Sequence, residues 1–313
     1  MPSPETRRPE RAVRIRVPAS TANLGPAFDA VGLALQMFLT VEVHRVASPP
    51  SRLEFRGRDA AAVPQDASNL IWRTMESVAA RRGGTLPPFL LRVDNEIPLT
   101  RGLGSSATAR LAAAAAADFL CDFHLGPAEL LEIATAEEGH PDNVAPALVG
   151  GLVVSVSSTP ILWTRMELPA EWRIVAVVPE YELETRRARA VLPESVPHRD
   201  AVYNVQRAAF LIAQLARGHR DGVREAMRDR LHQPYRAPLV PGLDEILALD
   251  CDGLIGVALS GAGPSVVALA DERAEEIGGS IEALFAKHGV RSETRVLQAD
   301  NGGLVRTPIG VVS

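Results

Sequence analysis

The stretch PLTRGLGSSATA, residues 98–109, contains the pattern best suited to binding an anion. Gly102 and Gly104 can adopt backbone angles that are closed to other residues, and they let a ligand approach the backbone closely. Ser105 and Ser106 are good N-cap residues for the alanine-rich helix predicted to follow. Because the first N–H groups of a helix lack intrahelical partners and carry partial positive charge, this turn predicts a phosphate site. A structural turn with a capped helix is the alternative.

A cluster of acidic, histidine and amide side chains stands in EEGHPDNVAPAL, residues 137–148, just after a predicted helix. Such a mixture suits metal binding or acid–base chemistry. The His-Pro-Asp spacing lacks the paired histidines of a zinc site. A carboxylate such as Glu138 could instead bind Mg²⁺ together with the serine hydroxyls of the phosphate turn, because this hard cation prefers oxygen ligands. An ordinary satisfied turn is the alternative.

Two further stretches combine small and polar residues. In PASTANLGPAFDAVGLAL (18–35), Asn23 and Asp29 lie among small residues, and the carboxylate could pair with a cation such as an ammonium group. Asn and Asp are also common in ordinary turns. In LSGAGPSVVAL (259–269), a glycine loop joins two apolar runs. This loop is either a tight hairpin or a second loop that closes over phosphates or substrate.

Lysine is nearly absent from the chain. Lys287 is the one lysine among 33 basic residues, and it stands near the end of a late predicted helix. A P-loop nucleotide-binding protein needs its lysine inside GxxxxGK[ST], and a protein kinase needs one on an early strand. If the phosphate turn binds ATP, it therefore does so without a catalytic lysine in either setting.

The chain has 313 residues, 46% of them hydrophobic, which is enough for a sizeable core in two domains. Its net charge of −5 argues against a nucleic-acid-binding surface. The two cysteines form neither a metal pattern nor a disulfide framework, and no apolar run reaches the ~18 residues of a membrane helix. We therefore expect a cytoplasmic protein with no nucleic-acid or membrane partner, in which residues 1–12 form a disordered lead-in.

Mixed strands and helices must position these motifs. Alternating or continuous apolar runs predict strands at 13–17, 33–46, within 89–98, at 150–156 and 173–179, on both sides of the glycine loop in 253–270, and near 293–298. Helical spacing predicts helices at 68–84 (with a serine cap), 105–120, 126–140, 199–217, 221–231, 242–249 and 272–288. Residues 18–32 are predicted to be rich in turns, and 47–67 to form a loop. This non-alternating order predicts an α+β fold whose second half begins near residue 165.

Taken in chain order, the four stretches resemble the signature motifs of the GHMP small-molecule kinases and, within them, of the homoserine kinase family. Residues 18–35 are similar to P-x-S-x-A-N-L-G-P-G-F-D-x-x-G, and residues 98–109 are similar to the ATP loop P-x-x-x-G-L-G-S-S-A. The ATP loop is shared by GHMP kinases, whereas the combination of ANLGPxFD with HPDNVAP is far more specific to homoserine kinases. Four more segments agree with this resemblance: EGHPDNVAPALVGG, SGAGPSVVAL, ETRRARAVLP (184–193) and HQPYRAPLVPG (232–242).

The resemblance implies transfer of the γ-phosphoryl group of ATP, with Mg²⁺, to the side-chain hydroxyl of L-homoserine. The product would be O-phospho-L-homoserine, in threonine biosynthesis. An N-terminal domain like domain 2 of ribosomal protein S5 is implied over 13–165 and a ferredoxin-like domain over 166–313, with the nucleotide in the cleft between them and the chain in a homodimer. Two alternatives stay open: another GHMP kinase, such as one acting on mevalonate, and a catalytically silent nucleotide-binding protein.

The resemblance also implies which residues bind the ligands. Asp29 is expected to face the ammonium group of the substrate, and the arginines are expected to face its carboxylate, which a guanidinium fork suits better than lysine does. The expected substrate contacts are Asn23, Asp29, His140, Arg189 and Arg236. The expected ATP contacts are Asn69 near the adenine, Pro98, Arg101, Gly102, Leu103, Gly104, Ser105, Ser106, Ala107, Gly261 and Gly263. Mg²⁺ is expected at Ser106 and Glu138, with Glu132 as the alternative carboxylate.

Catalytic roles are expected for Asn143, Thr185 and Ser106. Asn143 stands where the related mevalonate kinases have an aspartate, a plausible general base. A strong base is not expected here, because positioning and charge neutralisation do most of the work in phosphoryl transfer. Asp142 is the alternative base.

One position departs from the family pattern. The family usually has Pro-Gly-Phe-Asp, whereas this chain has Ala27 between Pro26 and Phe28. If that position requires a positive φ, alanine costs about 1 kcal/mol relative to glycine. The fine geometry of Asp29 is then in doubt.

Overall fold

The computed structural model describes residues 11–48 and 50–310. Its strands are β1 (Arg11–Ala22), β2 (Val31–Arg45), β3 (Arg52–Gly57), β4 (Phe89–Asn95), β5 (Leu152–Val156), β6 (Leu162–Met166), β7 (Arg173–Pro179), β8 (Leu254–Leu259), β9 (Val266–Ala270), β10 (Ser292–Leu297) and β11 (Val305–Ile309). Its α-helices are α1 (Leu70–Arg81), α2 (Ser105–Cys121), α3 (Pro127–Glu138), α4 (Pro141–Val149), α5 (Thr185–Ala190), α6 (His198–Ala216), α7 (Val223–Ala226), α8 (Gln233–Arg236), α9 (Leu243–Leu247) and α10 (Ala274–Lys287). Short 3-10 turns occupy Ala60–Ala62 and Ala237–Leu239.

The first sheet carries α2 and the phosphate turn. Its strand order is β11-β1-β2-β4-β3, and β5 pairs with both β2 and β6. Helix α2 packs against α1, α3, α4 and β1. The alanines at 112–117 are all fully buried, because their small side chains let α2 approach these neighbours closely. The packing holds the first turn of α2 in a fixed place.

The second sheet has the order β10-β7-β9-β8, and every neighbouring pair is antiparallel. The chain order of β7, α6, β8, β9, α10 and β10 is the βαββαβ arrangement of ferredoxin-like domains. Alternate residues of β7 point to opposite faces. Ile174 and Ala176 join the core of the first sheet, whereas Val175 and Val177 join a second core that includes Phe285 of α10. One sheet face thus packs toward the first half of the chain.

The α+β class is confirmed, and the long helices and most apolar strands lie close to their predicted positions. Other parts of the prediction are wrong. Strand β1 continues through Ala22, where turns were expected, and β3 lies inside the expected loop. Only α7 forms within 221–231. Five further elements were not predicted: α4, α5, α8, β6 and β11.

Both ends of the described chain belong to the first sheet. Residues 1–10 of the expected lead-in lie outside the described residues, and Arg11 and Ala12 already pair with β2. Strand β11 pairs antiparallel with β1, so the end of the expected second domain returns to the first sheet. Within the described ranges, no helix is long and apolar enough to cross a membrane.

Candidate active site

A cavity of about 150 Å³ lies where the four stretches of interest meet. Segments far apart in sequence contribute to its wall, among them the turn after β1, the start of α2 and the start of α5. The polar residues and glycines that line it are Asn23, Asp29, Thr100, Gly102, Gly104, Ser105, Ser106, Glu138, His140, Asp142, Asn143, Thr185, Arg189, Arg236 and Gly261. The structure therefore brings together most of the residues expected to bind substrate, phosphates and metal.

The first turn of α2 opens into this cavity. Gly104, not a serine, is the N-cap: its φ is 70°, and no side chain caps the helix within the described residues. A Cβ at Gly104 would lie 2.2 Å from Oγ of Ser20, so only glycine fits there. The N–H groups of Ser105 and Ser106 belong to the first turn and have no acceptor within the helix. The arrangement can hold the oxygens of a phosphate.

The second glycine loop packs directly on the first. A Cβ at Gly102 would lie 2.3 Å from the carbonyl oxygen of Ser260, and the Ser260 hydroxyl donates to the carbonyl of Gly102 at 2.7 Å. The carbonyl oxygen of Gly261 accepts from Asn23 Nδ2 and from Arg236 Nη1, each at 2.9 Å. This loop therefore links the phosphate turn to the polar side of the cavity.

An acidic and a basic side chain pair across the cavity. Arg189 donates two hydrogen bonds to Asp29, at 3.0 and 2.8 Å, in a bidentate fork. Asn23 orients the carboxylate, because its Oδ1 accepts the backbone N–H of Asp29 at 2.9 Å. The hydrogen bonds that Arg189 donates to Asp29 raise the pKa of Arg189 above its ordinary value, although burial acts in the opposite direction. The two expected substrate-binding groups therefore satisfy each other's charge in this structure.

Arg236 differs from Arg189 because its partners are neutral. Its guanidinium donates to the carbonyl oxygens of Ala188 at 3.1 Å and Gly261 at 2.9 Å, and to Nδ1 of His232 at 3.2 Å. The residue is 1% exposed. Burial, together with the positive charge of Arg189, lowers the pKa of Arg236 to about 10. A buried cation without a bonded carboxylate, on a cavity wall, favours an anionic ligand.

Ser106 and Glu138 offer adjacent oxygen ligands. The Ser106 hydroxyl donates to Oε2 of Glu138 at 2.7 Å, and Nε of Arg110 donates to the same oxygen at 2.8 Å. Mg²⁺ binds oxygens at 2.0–2.1 Å in octahedral geometry, which places neighbouring ligand atoms roughly 3 Å apart. The observed pair therefore fits this cation. Glu132 is exposed and does not line the cavity.

The His-Pro-Asp-Asn segment forms a connected polar group. Nδ1 of His140 contacts the carboxylate of Asp142, and Oδ1 of Asn143 accepts the Ser20 hydroxyl at 3.0 Å. Burial lowers the pKa of His140, but the hydrogen bond and the charge of Asp142 outweigh it, and the pKa lies above its ordinary value. His140, Asp142 and Asp29 have ligand atoms within 4.8 Å of one another, but Arg189 already supplies a cation there.

A second, more apolar cavity of about 380 Å³ adjoins the first and shares Thr100, Ser105 and Ser106 with it. Asn69 lies on its wall and is the N-cap of α1, in place of the expected serine. Its side chain accepts from the N–H of Ile71 at 2.8 Å and donates to the carbonyl of Pro64 at 2.7 Å. The cavity has the size and apolar character that suit a flat aromatic ring.

Comparison with known proteins identifies the family. The family models for the GHMP kinases N terminal domain and the GHMP kinases C terminal domain match residues 69–151 and 211–287. The chain is 46% identical to the homoserine kinase of Solibacter usitatus, over 90% of this chain and 92% of that protein. It is 41% identical to the homoserine kinase of Moorella thermoacetica, over 93% and 98%. The chain belongs to the homoserine kinase family of the GHMP kinases.

Solved structures agree with this family. A homoserine kinase from Cytophaga hutchinsonii has a TM-score of 0.83 and 27% identity, and the match covers 95% of this chain and 98% of that one. A mevalonate kinase has a TM-score of 0.65 at 14% identity, covering 92% and 99%. At that identity the second match shows the fold alone.

Five residues expected at the ATP site of this homoserine kinase family member do not line the cavities: Pro98, Arg101, Leu103, Ala107 and Gly263. The Arg101 side chain instead donates to the carbonyl oxygens of Pro179 at 3.1 Å and Glu180 at 2.9 Å, so it ties the phosphate turn to the end of β7. Ser20, Thr100 and Arg110 were not predicted. Arg110 could have been predicted from the sequence, since it stands four residues after Ser106 and therefore on the same helix face.

Ala27 carries no strain. Positive φ angles near it occur at Asn23 (75°), Leu24 (43°), Gly25 (85°) and Asp29 (55°). Ala27 itself does not have a positive φ. Its carbonyl oxygen accepts N–H groups in the turn that carries Asp29. The expected penalty for alanine therefore does not arise.

We expect Ala27→Gly to lower the free energy of unfolding by about 0.5–1 kcal/mol, because glycine gains conformational entropy in the unfolded chain without relieving strain in the folded one. Urea unfolding monitored by circular dichroism measures the change. Gly279→Ala, at an exposed helix position where an added Cβ meets open space, serves as the opposite control and is expected to stabilise. Stabilisation by Ala27→Gly would show that position 27 is strained after all.

Proposed function

We propose that this protein transfers the γ-phosphoryl group of ATP to the side-chain hydroxyl of L-homoserine and forms O-phospho-L-homoserine. One observation carries the proposal. The carboxylate of Asp29 and the guanidinium groups of Arg189 and Arg236 line one small cavity together with the open first turn of α2. Such a cavity offers partners for both charges of an amino acid and, beside them, for a phosphate. The names of the relatives support the same reaction.

In the proposed complex, the substrate replaces the internal ion pair. Its ammonium group binds Asp29, and its carboxylate binds Arg189 and Arg236. When the Asp29–Arg189 pair separates, the ammonium group of the substrate pairs with Asp29 and its carboxylate pairs with Arg189. Neither of these two charges is then buried without a partner. His140 borders the same space, where Asp142 favours its protonated form.

ATP is proposed to lie across the two adjoining cavities. Its phosphates would bind the first turn of α2, where Gly102, Gly104, Ser105 and Ser106 line the wall. Its adenine would enter the apolar cavity beside Asn69. The two cavities share both serines, so the base and the phosphates of one nucleotide can occupy them together.

Ser106 and Glu138 would hold Mg²⁺, and this metal, when bound, neutralises phosphate charge during transfer. Arg110 keeps the Glu138 carboxylate turned toward Ser106. The exposed position of Glu132 supports Glu138 as the metal ligand.

In the transfer step, the homoserine hydroxyl oxygen forms a bond to the γ-phosphorus, and the bond from that phosphorus to the β–γ bridging oxygen breaks, which releases ADP. Asn143 and Thr185 border the cavity and are placed to position the hydroxyl and the γ-phosphate. Oδ1 of Asn143 already accepts from Ser20, and Nδ2, which lies 3.5 Å from Oδ1 of Asp142, can only donate. Asp142 is engaged by His140. The hydroxyl proton is therefore proposed to leave with the transferred phosphoryl group, without a strong protein base.

We expect Asn143→Ala to lower kcat only moderately, by roughly 10-fold to 10²-fold, because it removes a donor and not a base. Asn143→Asp is expected to bring no gain in kcat. Steady-state assays at saturating ATP measure both values, with Asn301→Ala, an exposed loop position, as the control. A 10⁴-fold loss for Asn143→Ala would assign Asn143 a base-like role.

The direct test is ADP release from Mg²⁺-ATP with L-homoserine, mevalonate, galactose or L-threonine as acceptor. We expect release with L-homoserine, and mass spectrometry of the product to show one added phosphoryl group on oxygen. Release with mevalonate alone would replace the proposed substrate. Tight ATP binding without any release would favour a silent nucleotide-binding protein.

The remaining family expectations stay predictions. They are a role in threonine biosynthesis, a cytoplasmic location, a homodimer, and a domain boundary near residue 165. Light scattering at micromolar concentration tests the homodimer. Complementation of a threonine auxotroph that lacks homoserine kinase tests the pathway.

A further inference from the structure

A buried histidine joins the two sides of the substrate cavity. Nδ1 of His232 lies 3.2 Å from Nη1 of Arg236, and its Nε2 lies 2.8 Å from the carbonyl oxygen of Gly25. Its ring stacks on Phe28, with the ring centroids 5.1 Å apart. The side chain is fully buried. Gly25 belongs to the turn that carries Asn23, so this ring bridges that turn and the buried arginine.

The two hydrogen bonds define the protonation of the ring. A guanidinium group can only donate, so Nδ1 of His232 must accept. A carbonyl oxygen can only accept, so Nε2 must carry the hydrogen. The ring is therefore neutral. Burial lowers the pKa of His232, and the charge of Arg236 lowers it further, against the opposite effect of Asp229.

Asp229 does not need a proton from this ring, although its Oδ2 lies 3.6 Å from Nε2. Its two carboxylate oxygens already accept four hydrogen bonds of 2.6–2.9 Å. The donors are Asn204 Nδ2 and the backbone N–H groups of Leu231, His232 and Gln233. Asp229 thus anchors the start of α8, and the charge of Arg236 stays available to the cavity.

We propose that His232 is a positioning residue that gives the enzyme its selectivity for acceptors with a carboxylate. Its neutral ring holds the Arg236 guanidinium against the cavity wall and leaves the positive charge for the ligand. An aspartate or glutamate in its place would hold the guanidinium equally well but would neutralise it. This inference rests on the proposed function, in which Arg236 binds the carboxylate of the substrate.

Two variants of similar size separate the two hydrogen bonds of the ring. His232→Asn can place an amide oxygen near the Nδ1 position and keep the contact to Arg236. His232→Gln can place an amide NH₂ near the Nε2 position and keep the contact to Gly25. We expect His232→Gln to raise the KM for L-homoserine about 10-fold, with kcat within about 3-fold, and His232→Asn to raise it less. His44→Gln is the control, since His44 is buried on β2 away from the cavity.

Inhibitors with one charge distinguish positioning from a general structural effect. The inhibition constant of 4-hydroxybutanoate, which keeps the carboxylate, is expected to rise about 10-fold in His232→Gln. That of 3-aminopropan-1-ol, which lacks the carboxylate, is expected to stay unchanged. Equal rises for both compounds, or an unchanged KM for L-homoserine, would overturn the proposal.

The wild-type protein provides a test that does not depend on folded variants. Nitrogen-15 NMR of the histidine rings is expected to show His232 with a protonated Nε2 and an unprotonated Nδ1 between pH 6 and 8. The opposite tautomer or a charged ring overturns the inference. A wild-type enzyme that releases no ADP with L-homoserine defeats the proposed function instead, whatever the tautomer.

Discussion

Replacing Arg236 by lysine is expected to raise the KM for L-homoserine about 100-fold, equivalent to about 2.7 kcal/mol of binding free energy, with a smaller change in kcat. The guanidinium is held by three neutral acceptors in a buried setting. A lysine ammonium group lacks the planar fork, so it cannot keep these bonds and also present two donors to a carboxylate. Initial rates against L-homoserine concentration, at saturating Mg²⁺-ATP, measure both constants.

The contact between Arg236 and the substrate carboxylate can be isolated by testing protein variants against ligands that each lack one charged group. Arg236→Lys is expected to weaken binding of 4-hydroxybutanoate as strongly as that of L-homoserine, and to leave 3-aminopropan-1-ol nearly unaffected. Asp29→Asn is expected to show the reverse preference. Arg228→Lys, on the exposed surface nearby, is the matched control. If the KM for L-homoserine stays within 2-fold of wild type in Arg236→Lys, Arg236 does not bind the carboxylate.

The charged side chains of the substrate cavity come from separate stretches of the sequence, and no repeating sequence pattern links these stretches. Asp29 and Arg189 are 160 positions apart, yet they form a bidentate pair. The motif resemblance named both residues, but it assigned them to opposite ends of one ligand. Their contact with each other could not be predicted from a sequence pattern, because it arises from tertiary packing of distant segments.

The fold shows a similar division between what the sequence predicts and what it does not. Strands with continuous apolar runs, such as β7 and β9, are buried on both faces and were predicted. Strands β3, β6 and β11 were not, because they bury few side chains and carry charged or polar residues. Edge strands commonly have this composition, since it discourages pairing with other chains.

The residues that hold other site residues in place were the hardest to identify from the sequence. Ser20 lies in a segment predicted as a turn, and only the continuation of β1 places its hydroxyl against Asn143. His232 stands in a recognised segment, but nothing in its spacing reveals the bond to Gly25. Such residues act through contacts between distant segments, and these contacts exist only in the folded chain.

Replacing Glu138 by glutamine is expected to lower kcat by roughly 10²-fold to 10³-fold, because the change removes a negative oxygen ligand at the proposed Mg²⁺ position. The amide keeps the shape of the carboxylate, and its carbonyl oxygen can still accept from Ser106. The effect should therefore come from charge and not from packing. The Mg²⁺ concentration that gives half-maximal rate is expected to rise as well, and titration of Mg²⁺ at fixed ATP measures it.

Glu132→Gln is the matched control for this prediction. Glu132 stands on the same helix α3, six positions before Glu138, but it is exposed and lies outside the cavity lining. We expect its kcat and its Mg²⁺ dependence to equal those of the wild type. Arg110→Met adds a second comparison, because it frees the Glu138 carboxylate without removing it, and we expect a smaller loss of kcat than in Glu138→Gln. If Glu132→Gln is impaired and Glu138→Gln is not, the metal ligand is Glu132, and the contact between Ser106 and Glu138 is structural.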